Sequence, residues 1–172
     1  MKIPNEIESI IYYLNIIIIL RKGGIDMESI YDVAHYFLHR ESMSHKKLQK
    51  MCYYAQAWYL ANYRSALVPN RFEAWVHGPV SPDLYNVYRD WGWEDIPVYN
   101  GNINFEQENT ESFLNQVYDV YGDYTADELE MITHRELPWK NARKGISAGE
   151  YSRNPILLSD MRDYYGERID NC

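Results

Sequence analysis

Cysteine is nearly absent from this 172-residue chain: Cys52 and Cys172 are the only two. One sits inside an apolar helical pattern and the other at the chain end, so no disulfide framework is encoded, and a reducing cytoplasm is the natural setting. No apolar stretch is long enough to span a bilayer. The run from Ile10 to Leu20 is too short, and Glu6 and Glu8 with a lone Lys2 are the wrong flanks for a secretory signal. Basic residues are in deficit, 17 Lys and Arg against 25 Asp and Glu, giving a formal charge of −8 that repels nucleic acid and anionic lipid over the surface as a whole. A basic protein partner suits this charge better than DNA does. Two local basic clusters, Lys46, Lys47 and Lys50, and Lys140, Arg143 and Lys144, read as solvated helix faces.

What is present in excess is tyrosine, 17 residues in a chain whose aromatic content is 15 %. Its apolar ring and polar tip suit both a core that reaches the surface and an interface that stays soluble when unbound. The length is that of one domain with a substantial core.

Residues 1–26 read poorly as protein. Lys22-Gly23-Gly24 is encoded by AAR-GGN-GGN, which accommodates the ribosome-binding sequence AAGGAGG, and Ile25 and Asp26 supply the spacer before Met27. The expectation is a non-native extension over 1–26 and a true start at Met27, with the domain over 27–172. An intact mass that includes residues 1–26 would overturn it. The extension carries balanced charge (Lys2, Arg21, Lys22 against Glu6, Glu8, Asp26), so the charge argument stands either way.

From there the periodicities predict a mainly α single domain of about six helices with one short β-strand or hairpin near Phe72 to Val80, without repeats or long linkers. A helix over 28–39 buries Ile30, Val33, Ala34, Phe37 and Leu38. His35 and His39 share a face there, as helical metal ligands do, but no third ligand stands at a matching spacing. Ser44 caps a second helix over 46–63, apolar around so much of its circumference that it must be central. Cys52 is a small buried hydrophobe in it, and Gln56 either ties neighbouring backbone or points outward. In 72–77, Phe72, Ala74 and Val76 alternate with Glu73, Trp75 and His77, the period of a half-buried strand. Gly78-Pro79 stops the strand. Ser81 and Pro82 open a helix carrying Leu84, Val87, Tyr88 and Trp91 inward, with Gly92 as its end. Residues 93–107 are irregular, with a short extended piece at 98–99 or 103–105. A helix over 108–121 places Phe113, Val117, Val120 and Tyr121 inside. Thr125 to Glu128 is a capping box for a helix that Pro138 interrupts. After a loop over 144–153, Asn154-Pro155 caps a last helix with Leu157, Met161 and Tyr164 facing in and Gly166 closing it.

Three stretches in order carry a family pattern: Leu48-Gln49-Lys50-Met51-Cys52-Tyr53-Tyr54-Ala55-Gln56-Ala57-Trp58-Tyr59, then Phe72-Glu73-Ala74-Trp75-Val76-His77-Gly78-Pro79-Val80, then Pro138-Trp139-Lys140-Asn141-Ala142-Arg143. Together they resemble the SocA-like, or Panacea, antitoxin domain, whose members include phage-associated GepA-like proteins; the similarity spans about 30–165. The resemblance implies a mainly helical fold with a small β element. It also implies the antitoxin of a type II toxin–antitoxin system, carried by a prophage or other mobile element, that neutralises a cognate toxin from the adjacent gene by direct contact. One branch of the family acts instead as an adaptor delivering its toxin to the ClpXP protease. The added DNA-binding extension of larger relatives is missing here, which argues against autoregulation.

The residues themselves present no paired acids, no Ser–His–Asp arrangement, no CxxC and no Gly-rich phosphate cradle. No enzyme activity, cofactor or metal is therefore expected. The competing reading of another class is a metal-dependent hydrolase using His35, His39, His77 or His134. Candidate partner-contacting residues are Trp75, His77, Pro79, Pro82 and Tyr85 at the strand-to-helix corner, with Trp139 as a neighbour, because interface energy concentrates in aromatics.

Overall fold

The computed structural model describes residues 27–170; the expected extension over 1–26, its proposed start signal and Cys172 lie outside them. Among the described residues there are seven helices and two short antiparallel strand pairs, so the mainly α expectation holds. No helix among them is long and apolar enough to cross a membrane.

Helix α1 (Ile30–Arg40) starts at Ser29, whose Oγ accepts from the Tyr31 N–H, and buries the expected stripe from Ile30 to Leu38. Strand β1 (Met43–Ser44) leads directly into α2 (His45–Tyr63), where the Ser44 hydroxyl accepts from the Lys47 N–H. Fourteen of the residues of α2 are buried, on every side of the helix. It is the axis of the molecule and packs on α1, on α4 (Thr110–Tyr121), on α5 (Ala126–Arg135) and most extensively on α7 (Leu158–Asp170). Cys52 is buried, and burial pushes its thiol pKa upward. Gln56 is the backbone tie: its Oε1 accepts from the N–H groups of Leu67 and Val68 and its Nε2 donates to the Val68 carbonyl.

The short strand or hairpin expected near Phe72 to Val80 is a hairpin of β2 (Glu73–Trp75) and β3 (Gly78–Val80), with Ala74 opposite Pro79; the turn falls at 76–77, so Gly78-Pro79 opens the second strand where a stop was expected. Residues 154–156 run along its outer edge: the Ala74 N–H donates to the Asn154 carbonyl and the Ile156 N–H to the Phe72 carbonyl. Helix α3 (Pro82–Tyr88) follows, continues as a 3-10 turn over Arg89–Trp91 and stops at Gly92, whose φ of 55° suits glycine. Strand β4 (Asp95–Ile96) then pairs with β1.

Several local expectations change. The seventh helix, α6 (Leu137–Ala142), arises because the chain turns extended at Glu136 and Pro138 fits the first turn of a new helix. Ser81 makes no side-chain cap; it is wholly buried, and Gln49 on α2 serves its backbone instead, Oε1 accepting from the Ser81 N–H and Nε2 donating to its carbonyl. Val87, Trp91 and Val120 lie outward, because α3 is too short to follow one face and α4 covers α2 with only part of its circumference. The short strand falls at 95–96, where β1 offers a free edge, and the segments at 98–99 and 103–105 stay irregular. Residues 154–156 are spent on the hairpin edge, so the last helix begins at Leu158, leaves Leu157 exposed, buries Met161 and Tyr165, and runs through Gly166. Finally, Glu73 is buried, and so are Lys50 and Arg143 of the two supposed solvated clusters.

Seven of the 17 tyrosines are buried core residues among the described residues, and five stand exposed. Tyr53, Tyr54 and Tyr165 are fully buried, Tyr54 stacks on Tyr121 at 3.9 Å, and the hydroxyls of Tyr54 and Tyr165 both donate to Glu136 Oε2, at 3.3 and 2.7 Å. Burial raises the Glu136 pKa to about 7, with the two tyrosyl hydrogen bonds opposing the rise.

Candidate functional site

The hairpin is held from two sides. Behind it, α6 and the residue that caps its end supply two side chains at a spacing of four, Trp139 and Arg143, and both reach the hairpin. The Trp139 indole N–H donates to the Trp75 carbonyl at 3.0 Å, and Arg143 Nη1 donates to the Ala74 carbonyl at 3.0 Å. Arg143 Nη2 reaches the carbonyls of Ser147 and Glu150 at 2.9 and 2.7 Å, and its guanidinium lies 5.0 Å from the Trp139 ring centroid. In front, consecutive residues of α2 meet the strand end: Gln49 serves Ser81, and Lys50 Nζ donates to the Pro79 carbonyl at 3.2 Å. Helix α2, the hairpin and α6 are therefore one bolted unit, built from the three stretches that carry the family pattern.

Gly78 is the hinge pin of that unit. Its φ is 97°, and a β-carbon there would stand 2.6 Å from Lys50 Cε and 2.9 Å from Thr133 Oγ1. Only glycine accepts both the conformation and the close passage of the lysine stem.

On the front side an open groove of about 390 Å³ lies between the start of α2, the hairpin and α3. Trp75 and Tyr85 pack against each other with ring centroids 4.8 Å apart on its wall. Trp93, 82 % exposed, stands at its rim with Arg89. His77 also lines it, two-thirds exposed, its Nδ1 3.2 Å from Glu130 Oε1. Lys46 pairs with both Glu130 and Asp127. His45 and Lys50 lie deeper. Burial, with a smaller contribution from Lys50, lowers the His45 pKa to about 4, so the ring is neutral; Gln49 Nε2 lies 2.9 Å from its Nε2, which places the ring proton on Nδ1. Burial also lowers the Lys50 pKa to about 7; Glu130 opposes this and Lys46 adds to it.

Of the six candidate contact residues, Trp75, His77 and Tyr85 come together on this groove. Pro79 is buried in β3 with its carbonyl turned to Lys50, Trp139 is 8 % exposed behind the hairpin, and Pro82 lines a separate shallow cleft with Asn70 and Asp83. Lys50, His45, Arg89 and Trp93 join the groove without having been singled out from the sequence. The signal for Lys50 was available, since a lysine in a helix that is apolar all round has no solvated side to occupy.

The four histidines of the hydrolase reading are dispersed. His35 stacks on Tyr99 at 3.9 Å, His39 Nδ1 contacts the Tyr99 carbonyl, His134 stacks on Trp139 at 4.0 Å, and His77 stands at the groove. Among the described residues no three His, Cys, Asp or Glu side chains form a group able to hold a metal ion.

A family model, the antitoxin SocA-like Panacea domain, matches residues 48–140, more than half of the chain. That span starts in α2, takes in the whole hairpin and all of the groove lining except His45 and Lys46, and ends in α6. Searches of curated proteins and of solved structures return no match.

Proposed function

The chain belongs to the SocA-like Panacea antitoxin family, and we propose that it is the antitoxin of a type II toxin–antitoxin pair, carried on a mobile element, that neutralises a toxin encoded by the adjacent gene through direct contact and performs no chemistry of its own. The observation that supports this reading most is the groove in front of the hairpin. Trp75, Tyr85 and Trp93 offer large ring surface, Trp93 almost wholly in solvent, and Trp75 stands on a hairpin whose backbone is fixed from both sides. Aromatics held rigid around a concavity are how protein interfaces concentrate affinity with little ordering cost. The acidic surface outside the groove repels nucleic acid and suits a basic partner.

Co-expression with the neighbouring gene product tests the reading. Growth is rescued and the two proteins elute as one complex on gel filtration; failure of both discards it. A host lacking ClpXP separates neutralisation by contact from delivery to the protease. Protection that persists there fits contact alone, whereas protection that disappears while the complex still forms makes the chain an adaptor.

A further inference from the structure

The described residues bury five side chains that carry a formal charge: Glu28, Lys50, Glu73, Glu136 and Arg143. Four are well matched. Glu28 accepts from the N–H groups of Glu106 and Gln107 and from the Thr110 hydroxyl. Glu73 accepts from the Arg71 guanidinium and the Trp75 indole. Glu136 has its two tyrosines and Arg143 its carbonyls. Lys50, 1 % exposed, differs: an ammonium has three N–H donors, and its single acceptor is the Pro79 carbonyl. Unmatched buried donors are costly, and packing alone does not call for an amine here, because the stem beneath Gly78 would be reproduced by a methionine.

Lys50 forms part of the groove lining, so a ligand there meets it. The charges around it are already engaged, Lys46 with Glu130 and Asp127, His77 with Glu130, and the rim residue Arg89 with Asp90, which leaves Lys50 as the lining charge with donors to spare. A chain of net charge −8 thus keeps one buried amine, short of acceptors, on a groove walled by aromatic rings.

We propose that the groove is a carboxylate-binding site: it takes an Asp or Glu side chain of the partner protein onto the free N–H donors of Lys50, with the apolar neighbour of that residue against Trp75, Tyr85 and Trp93. Identifying the partner as a toxin rests on the antitoxin reading; the site does not. Seating one acid on this buried amine fixes the partner's register, the usual part of charge complementarity at interfaces. The titratable groups facing Lys50 are His45 and Lys46 from α2, Glu130 and His134 from α5 and His77 from the hairpin loop. A carboxylate arriving among them favours the charged amine, so binding takes up a proton near pH 7 and weakens as the pH rises.

The probes are acetyl-Trp-Glu-amide and its neutral twin acetyl-Trp-Gln-amide, titrated into the isotope-labelled full chain and followed by NMR at the Gly78 amide and the Trp75 and Trp93 indoles. The Glu peptide binds at least ten-fold tighter at pH 6.5, the ratio collapses toward one by pH 9.5, and Lys50→Met removes it while leaving the Gln peptide's affinity in place. Equal affinity of the two peptides, or a preference that survives Lys50→Met, overturns the proposal. So does a preference shown only by acetyl-tryptophan with its free terminal carboxylate. If Lys50→Met does not fold, the ratio in the unmodified chain and its loss with pH decide alone. A chain that protects against the toxin yet shows no preference loses the site and keeps the antitoxin reading; a chain that prefers the Glu peptide but neither binds nor protects against the neighbouring product supports the site and loses that reading.

Discussion

The two sides of the hairpin treat buried charge in opposite ways. Behind it, Arg143 spreads its guanidinium over the carbonyls of Ala74, Ser147, Ala148 and Glu150 and over the Trp139 ring, leaving nothing for a ligand to do. In front, Lys50 meets one carbonyl at 3.2 Å and lines an open groove. Both are basic residues within family-pattern stretches, and both touch the same strand pair. A charge spread over four carbonyls and a ring is a structural bolt; a charge with one acceptor at the edge of a cavity is available to a partner.

The comparison breaks most severely if Arg143 proves dispensable. Arg143→Met leaves those carbonyls without their donor in a buried corner and loosens the loop over 143–150. The expected loss is about 3 to 5 kcal/mol in urea denaturation. A loss under about 1 kcal/mol would mean that water serves the same carbonyls, and the closed side would not be closed.

A second test opposes Lys50 to Glu136. Glu136 binds its proton more tightly folded than unfolded, so between pH 4.5 and about 7 stability falls as pH rises, by roughly 3 kcal/mol over the window. The buried bases run the other way: His45, lowered to about 4, adds stability as pH rises toward 6.5, and Lys50, lowered to about 7, adds it from there toward 10.5. The unmodified chain should therefore show a shallow profile below pH 7 and a rise above it. Glu136→Gln should expose the acid-side rise due to His45, and Lys50→Met should flatten the alkaline side. An unchanged profile in Glu136→Gln would place that carboxylate in contact with water.

Gly78→Ala acts on the seam between the two sides. The positive φ and the close approach to Lys50 Cε together give an expected loss of about 2 kcal/mol in thermal or urea unfolding. An equally stable alanine variant would show that the lysine stem can leave its channel, and with it the restriction on where the amine sits.

How much of this was legible beforehand follows the physics of each residue. Local interactions were readable: the caps at Ser44 and Thr125 and the capping box with Glu128 all act within a few residues of their partners. Where the partner lay far along the chain, the local rule lost. Ser81 looked like a cap until Gln49, 32 residues earlier, took its backbone. Asn154-Pro155 looked like a helix start until the hairpin edge claimed it. The groove was half legible: Trp75, His77 and Tyr85 fall within one continuous stretch, whereas Arg89 and Trp93 reach it only because α3 folds back. Lys50 was misread with Lys46 and Lys47 as surface charge, since a run of like residues hides that successive helix positions point in different directions.

The smallest expected effect on stability is also the sharpest on function. Trp93 is 82 % exposed, so Trp93→Ala should move the unfolding free energy by no more than about 0.5 kcal/mol. If the open side is where the partner docks, the same change removes a large ring from the interface and weakens the complex at least ten-fold, about 1.4 kcal/mol or more, with protection in the growth assay falling in step. Trp139→Ala is the converse. That indole supports the Trp75 carbonyl from behind and is nearly out of solvent, so its removal should cost stability first and affinity only through the loosened strand. Measuring unfolding and complex formation on both variants therefore assigns each tryptophan to a side. A Trp93→Ala chain that is fully stable and still binds as tightly as the parent would move the docking surface away from this groove.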